Sequence, residues 1–164
     1  KSNPRTSTLH KKNLGILIFD VPPKRPISVE SLSYESAYYD YKNCKAFLKD
    51  IITSSSSEIE LYLKPKRFDQ FTDRRYLRFL KNEKRLNILD QDLDIEIAID
   101  NSDAVICMPL TTPGIIGKFR KKSVVFYDST GIFSNRKRYN DEPEILFRKE
   151  ELRNWILSNQ SNAK

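Results

Sequence analysis

The chain has 164 residues, of which 38% are hydrophobic, and a formal net charge of +7 at pH 7. This length fits one domain, and no stretch reaches the ~18 apolar residues of a membrane span. The positive charge favours an anionic partner, such as a nucleotide, a nucleic acid, an acidic glycan or a membrane surface, without selecting one. Two separate cysteines make neither a disulfide framework nor a metal site, which fits a reducing compartment.

Residues 1–13 are polar and basic, and we interpret them as a loose arm or a connector between domains. The chain begins with Lys1 and not with methionine, so we expect either a processed form or a portion of a longer protein. It carries no secretory signal. We therefore expect a cytoplasmic protein and leave open a peripheral association with the inner membrane.

Apolar runs alternate with segments of helical spacing after this arm, which predicts a parallel sheet with helices on both faces, an α/β Rossmann-like fold. One such domain would cover residues 14–158, with a frayed tail at 159–164. The predicted strands are 14–19, 58–63, 86–89, 104–108, 123–127 and 144–147, and the predicted helices are 34–53, 73–80, 95–101, 115–120 and 149–157.

Two hydroxyl residues, Thr111 and Thr112, follow the fourth predicted strand. Either is an acceptable N-cap, Pro113 suits a first helical turn, and Gly114 would let a ligand approach the backbone. A helix that starts directly after a parallel strand directs N–H groups and its positive dipole end to the ligand-binding edge of the sheet. The pattern predicts a phosphate site, although threonines that only cap the helix are an equally good interpretation.

A basic turn follows the second predicted strand and carries Lys64, Lys66 and Arg67. These side chains would face the same sheet edge as the two threonines and would complete the anion site if the two strands are neighbours. The alternative is an ordinary basic turn in a basic protein. Asp20, Asp128 and Ser129 also follow predicted strands and are further candidates at this edge.

Several familiar catalytic patterns are absent. We find no Gly-x-Gly-x-x-Gly fingerprint, Walker lysine loop, nucleophile elbow or zinc spacing. The acidic stretch 90–94 could suggest a metal site, but it leads into a predicted helix, where early acids favour the dipole. We therefore assign no catalytic residue, no metal and no cofactor. The two phosphate-directed elements that remain need neither a base nor a nucleophile, and a nucleotide-sugar transferase uses such a half-site to hold its donor's leaving group.

Residues 103–113 and 122–128 together resemble the C-terminal half of bacterial surface-polysaccharide transferases. The similarity is greatest to the polysaccharide biosynthesis proteins named for a Pro-Phe-Thr-Ser motif, which look related to two-domain GT-B sialyl- and Kdo-transferases that use CMP-sugars. Here the motif is Pro109-Leu110-Thr111-Thr112, with leucine for phenylalanine and threonine for serine. The resemblance implies that Thr111 and Thr112 bind the phosphate of CMP.

The same families carry a Lys-Pro-His-Pro-like turn, which Lys64-Pro65-Lys66-Arg67 matches with lysine in place of histidine. A histidine that could donate a proton to the leaving group is therefore missing at position 66. The resemblance implies a donor-binding domain that needs an N-terminal acceptor domain and a glycan acceptor, so the isolated chain should be inactive. The alternative is a basic module that binds nucleic acid or another anionic ligand, which no nucleic-acid motif supports.

Overall fold

The computed structural model describes residues 15–25, 40–135 and 141–162, and the predicted basic arm lies outside these ranges. Strands and helices alternate through the described part of the chain, as the hydrophobic pattern predicts. The strands are β1 Gly15–Phe19, β2 Glu60–Leu63, β3 Leu86–Ile88, β4 Ala104–Cys107, β5 Ser123–Tyr127 and β6 Glu144–Leu146, and the helices are α1 Tyr41–Ser54, α2 Arg74–Asn82, α3 Ile95–Asp100, α4 Thr112–Phe119 and α5 Lys149–Asn162.

These strands form one sheet in the order β3-β2-β1-β4-β5-β6, and every neighbouring pair is parallel. Strands β1, β2 and β3 lie side by side in chain order toward one edge of the sheet. Strand β4 then lies on the other side of β1, where Phe19 pairs with Cys107. This arrangement confirms the predicted α/β Rossmann-like fold. We call the edge at which all strands end the carboxyl edge.

Two apolar layers enclose the sheet. Alternate residues of β1 point to opposite faces, so that Ile16 and Ile18 pack with α1, α2 and α5, whereas Leu17 and Phe19 pack with α3 and α4. Burial on both faces explains why β1 is a continuous apolar run and not an alternating one.

Aspartates begin three of the helices. Asp40, Asp73 and Asp94 are the N-caps of α1, α2 and α3, and each carboxylate accepts hydrogen bonds from N–H groups of the first turn. At α3, Asp94 Oδ1 accepts the N–H groups of Glu96 and Ile97 at 2.8 and 3.1 Å. The acidic stretch 90–94 therefore leads into a helix start, as the sequence indicates.

Some predicted boundaries are wrong. Helix α5 continues to Asn162, so residues 159–162 are helical and not frayed. Helix α4 begins at Thr112, three residues before the predicted start at Ile115, because Pro113 is accommodated within the first turn. For the long first helix, α1 starts at Tyr41, and the predicted residues 34–39 lie outside the described part.

Glycines let α4 lie close to the sheet. Gly114 and Gly117 are buried, and a Cβ atom at Gly114 would overlap the ring of Phe126, while one at Gly117 would come within 2.8 Å of Val124 Cγ2. The missing side chain of Gly114 therefore makes room for β5. The expectation that it makes room for a ligand is not supported by this geometry.

Gly114→Ala should lower the free energy of unfolding by about 1–3 kcal/mol, since the added methyl group overpacks the contact with Phe126. Chemical denaturation of the variant measures this loss. The same change made in a Phe126→Leu background should cost less, because the two positions are in contact. Unchanged stability in Gly114→Ala would contradict the packing role.

Candidate functional site

The turn between β4 and α4 lies at the carboxyl edge, where the order of the strands reverses. In open parallel sheets, ligands bind in the crevice at this point. Leu110, in this turn, adopts a left-handed conformation with φ 61°, which costs a bulky residue roughly 1–2 kcal/mol. Strained backbone of this kind concentrates at functional sites, so the turn is the first candidate for a binding site.

Thr111 is the N-cap residue of α4 by position, but its side chain does not cap the helix. Its hydroxyl donates instead to the carbonyl of Met108 at 2.8 Å, across the turn. The following residue, Thr112, is exposed, and its hydroxyl and N–H have no hydrogen-bond partner within the described ranges. Capping alone therefore does not account for either threonine.

The helix start offers fewer N–H groups than the sequence predicts. Pro113 has none, and the N–H of Gly114 donates to the carbonyl of Thr111 at 3.1 Å. An anion at this point would meet the Thr112 N–H, the two threonine hydroxyls and the positive end of the helix dipole. The site is thus built mainly from hydroxyl groups.

Lys64 follows β2 at the same edge and is only 5% exposed. Its ammonium group donates to the carbonyls of Gln91 and Pro65 at 2.8 and 3.2 Å, which ties the turn after β2 to the loop after β3. Burial lowers the pKa of Lys64, and the nearby carboxylates of Asp90 and Asp92 oppose this shift. Lys64 is therefore held within the structure and does not reach into the open edge.

The other two cations of this turn are exposed. Arg67 forms an ion pair with Asp92 at 3.0 Å, whereas Lys66 has no ion pair among the described residues. Strand β1 lies between β2 and β4, so this basic turn and the threonines are about two strand spacings apart, roughly 9–10 Å. The strands are not neighbours, and the two elements form no single cluster.

Asp20, directly after β1, is turned into the protein. It is 6% exposed, and its Oδ2 accepts hydrogen bonds from the hydroxyl of Tyr76 and from Cys44 Sγ, the latter at 3.6 Å. Its other oxygen, Oδ1, is buried without a hydrogen-bond partner. Burial raises the pKa of Asp20 from 3.8 to about 6, although the two side-chain hydrogen bonds lower it. Asp20 therefore lies beneath the carboxyl edge, among α1 and α2.

Asp128, directly after β5, organises the next turn. It is fully buried, and its carboxylate accepts the N–H groups of Thr130, Gly131 and Phe133 at 2.9–3.1 Å and the hydroxyl of Thr130 at 2.6 Å. These bonds fold the backbone around the side chain. The neighbouring Ser129 is half-buried in the same turn.

Three features at this edge have weak or no signals in the sequence. The strain at Leu110 is not apparent from a leucine, and the contact of Tyr76 with Asp20 joins residues 56 positions apart. The sequence shows the acidic loop of Asp90, Asp92 and Asp94. Only the pairing of β2 with β3 brings this loop close to the basic turn that carries Lys64 and Arg67.

The six-stranded parallel sheet and its flanking helices define a Rossmann-like α/β domain. Residues 2–156 match the polysaccharide biosynthesis PFTS motif protein family, and the chain belongs to this family. Comparison with curated proteins gives no significant match.

Among solved structures, the chain is similar to KpsC from Thermosulfurimonas dismutans, a beta Kdo 2,4 transferase, with a TM-score of 0.55 and 14% sequence identity. The match covers 93% of this chain and 47% of that one, so the chain spans about half the length of its structural relative. At this identity the similarity concerns the fold alone.

Within residues 15–25, 40–135 and 141–162, no helix is long and apolar enough to cross a membrane. The same residues contain no cluster of three or more histidine, cysteine, aspartate or glutamate side chains that could hold a metal ion.

The raised pKa of Asp20 makes the stability of the fold depend on pH. A pKa of about 6 in the folded protein against an ordinary 3.8 means that the folded state binds this proton more tightly. Protonated Asp20 therefore stabilises the folded state, and this stabilisation is complete below about pH 4. It amounts to at most about 3 kcal/mol and is lost as the pH rises through about 6. Asp20→Asn should therefore be more stable than the wild type near pH 7.5, with a difference that shrinks toward pH 4.

Urea denaturation across this pH range measures the difference between the two proteins. Asp128→Asn is a matched control at the same sheet edge, because Asp128 is buried with all its hydrogen bonds made. This control should be less stable than the wild type near pH 7.5. If Asp20→Asn is destabilised to the same degree as the control, the buried charge of Asp20 has no net cost.

Proposed function

We propose that the chain is the donor-binding domain of a glycosyltransferase that acts in surface polysaccharide biosynthesis, with a CMP-sugar as the donor. The observation that carries the proposal is the pair Thr111 and Thr112 at the start of α4, at the reversal of the strand order. Membership of a polysaccharide biosynthesis family supports the metabolic context. The motif Pro109-Leu110-Thr111-Thr112 would take the place of Pro-Phe-Thr-Ser.

In this proposal the phosphate of CMP lies against the start of α4. The Thr112 hydroxyl and N–H have no partner within the described ranges, so a phosphate oxygen can accept from both. Thr111 contributes by holding the turn through its bond to Met108, and because it has one hydroxyl proton, donating to the phosphate would require it to leave that carbonyl. Stabilising the negative charge of the departing CMP would favour cleavage of the bond to the sugar.

Lys66 is the cation of the basic turn that can still assist. It is exposed and has no ion pair in the described part, whereas Lys64 is tied to carbonyls and Arg67 to Asp92. A nucleotide is long enough to extend from the start of α4 across β1 toward this turn. Lys66 would then meet a second part of the donor, and Gly114 would serve only to pack α4.

We propose a two-domain GT-B arrangement for the complete protein; this chain covers 47% of its structural relative. The donor domain would close on an N-terminal acceptor domain, and the glycan acceptor would bind between them. We propose that this chain alone binds the donor without transferring the sugar. The proposed location is the cytoplasm, with peripheral association at the inner membrane.

A thermal-shift screen with CMP, UDP, GDP and a short oligonucleotide tests the proposal. We expect CMP to stabilise the fold, by about 2.7 kcal/mol at 100 times its Kd, and the other ligands to have little effect. A response to UDP or GDP alone would contradict the choice of donor. Stabilisation by the oligonucleotide alone would favour the nucleic-acid alternative.

Replacing both Thr111 and Thr112 by alanine should weaken CMP binding at least about tenfold, since a charge-assisted hydrogen bond contributes roughly 1.5–3 kcal/mol. Isothermal titration measures this change. The matched variant with serine at both positions should keep most of the affinity, because serine supplies the same hydroxyl. Cytidine, which lacks the phosphate, should bind all three proteins equally. Normal CMP affinity in the alanine variant would contradict the site.

A further inference from the structure

A group of cations lies in a groove away from the β4–α4 turn. Helices α1 and α2 pack side by side on one face of the sheet, and a groove of about 290 Å³ opens between them on the side that faces solvent. Its lining has three cations, two aromatic rings and an amide, and no acidic residue. The lining residues are Tyr41, Lys45, Arg75, Arg78, Phe79 and Asn82.

One cation of the groove is fixed in place. The Arg75 guanidinium makes a forked ion pair with Asp73, with Nη2 to Oδ2 at 2.7 Å and Nε to Oδ1 at 3.1 Å. The same guanidinium group also lies over the ring of Tyr41, with Arg75 Cζ 4.9 Å from the ring centroid. Because Asp73 is also the N-cap of α2, this arginine is held by the start of its own helix.

The other two cations are available to a ligand. Lys45 lies 5.8 Å from the centroid of the Tyr41 ring, and neither Lys45 nor Arg78 has an ion pair within the described ranges. By contrast, the nearby Lys49, which does not line the groove, is paired with Glu83 at 2.9 Å. Positive charge therefore remains unneutralised at the groove itself.

We propose that this groove binds a phosphate group carried on a small polar headgroup. Three cations from two helices line one cavity, and Lys45 and Arg78 among them have no ion pair in the described part of the chain. A phosphate presents three oxygens and up to two negative charges to such a site, whereas a carboxylate presents two oxygens in one plane. The cavity is at the lower end of ligand-pocket volumes, roughly 300–1,000 Å³. It holds a phosphate with a short substituent, and the rest of the molecule extends outward.

A phosphate monoester occurs both in a small soluble ester and in the headgroup of phosphatidic acid. Titrations of the ¹⁵N-labelled chain with glycerol phosphate, and sedimentation with phosphatidylcholine vesicles with and without phosphatidic acid, separate these sources. We expect glycerol phosphate to shift the side-chain signal of Arg78. Additional sedimentation that requires phosphatidic acid would identify a lipid headgroup as the source, and its absence would identify a soluble ester.

The test variant is Lys45→Gln with Arg78→Gln, and the control is Arg74→Gln with Lys81→Gln. Both remove two exposed positive charges, but the control positions lie outside the groove lining. We expect the test variant to bind glycerol phosphate about tenfold or more weakly and the control to change by less than about threefold. Equal losses in both variants, or no binding of either probe to the wild type, would overturn the proposal.

CMP binding measured on the same variants keeps this site distinct from the proposed donor site. The test variant should bind CMP like the wild type, since the groove lining includes no residue of the β4–α4 turn. A parallel loss of CMP affinity would overturn the assignment of two sites. If CMP binds none of the proteins, the donor proposal fails and the result with glycerol phosphate still decides the groove.

Discussion

The pairing of β4 with β1 is the contact on which the rest of the structure depends. Once Phe19 lies beside Cys107, the chain has strands on both sides of β1 and must carry its helices on opposite faces. Helices α1 and α4 then diverge where β1 and β4 end. In open parallel sheets this point of divergence is where ligands bind, and Thr111 and Thr112 lie beside it.

The fold could be predicted because its signals are local. Continuous apolar runs mark strands buried on both faces, and aspartates such as Asp73 and Asp94 mark helix starts. The candidate site was predicted less well, because it depends on strand order. Lys64 and Thr111 both follow strands, but only the completed sheet shows that β1 separates them and that Gln91 engages Lys64.

The charges in the sequence did not show which cations of the basic turn are already engaged within the fold. The basic turn after β2 faces the carboxylates of the loop after β3, and Lys64 and Arg67 find their partners there. Thr112, which carries no charge, keeps its hydroxyl and N–H available among the described residues, whereas the Thr111 hydroxyl is bonded to Met108. A donor phosphate at this edge would be held by hydroxyl groups, the Thr112 N–H and the helix dipole, with Lys66 as the exposed cation of the turn.

The cations of the protein differ in whether they have acidic partners. Arg120, just after α4, is held by Glu96 and Asp100 of α3, so this cation is paired as well. The groove between α1 and α2 differs, because Lys45 and Arg78 line it without ion pairs in the described part of the chain. Hydrogen bonding at the carboxyl edge and charge at the groove are two different ways to bind phosphate, and screening by salt weakens the second far more than the first. Under the two proposals, the chain would hold a nucleotide without using most of its positive charge for that purpose.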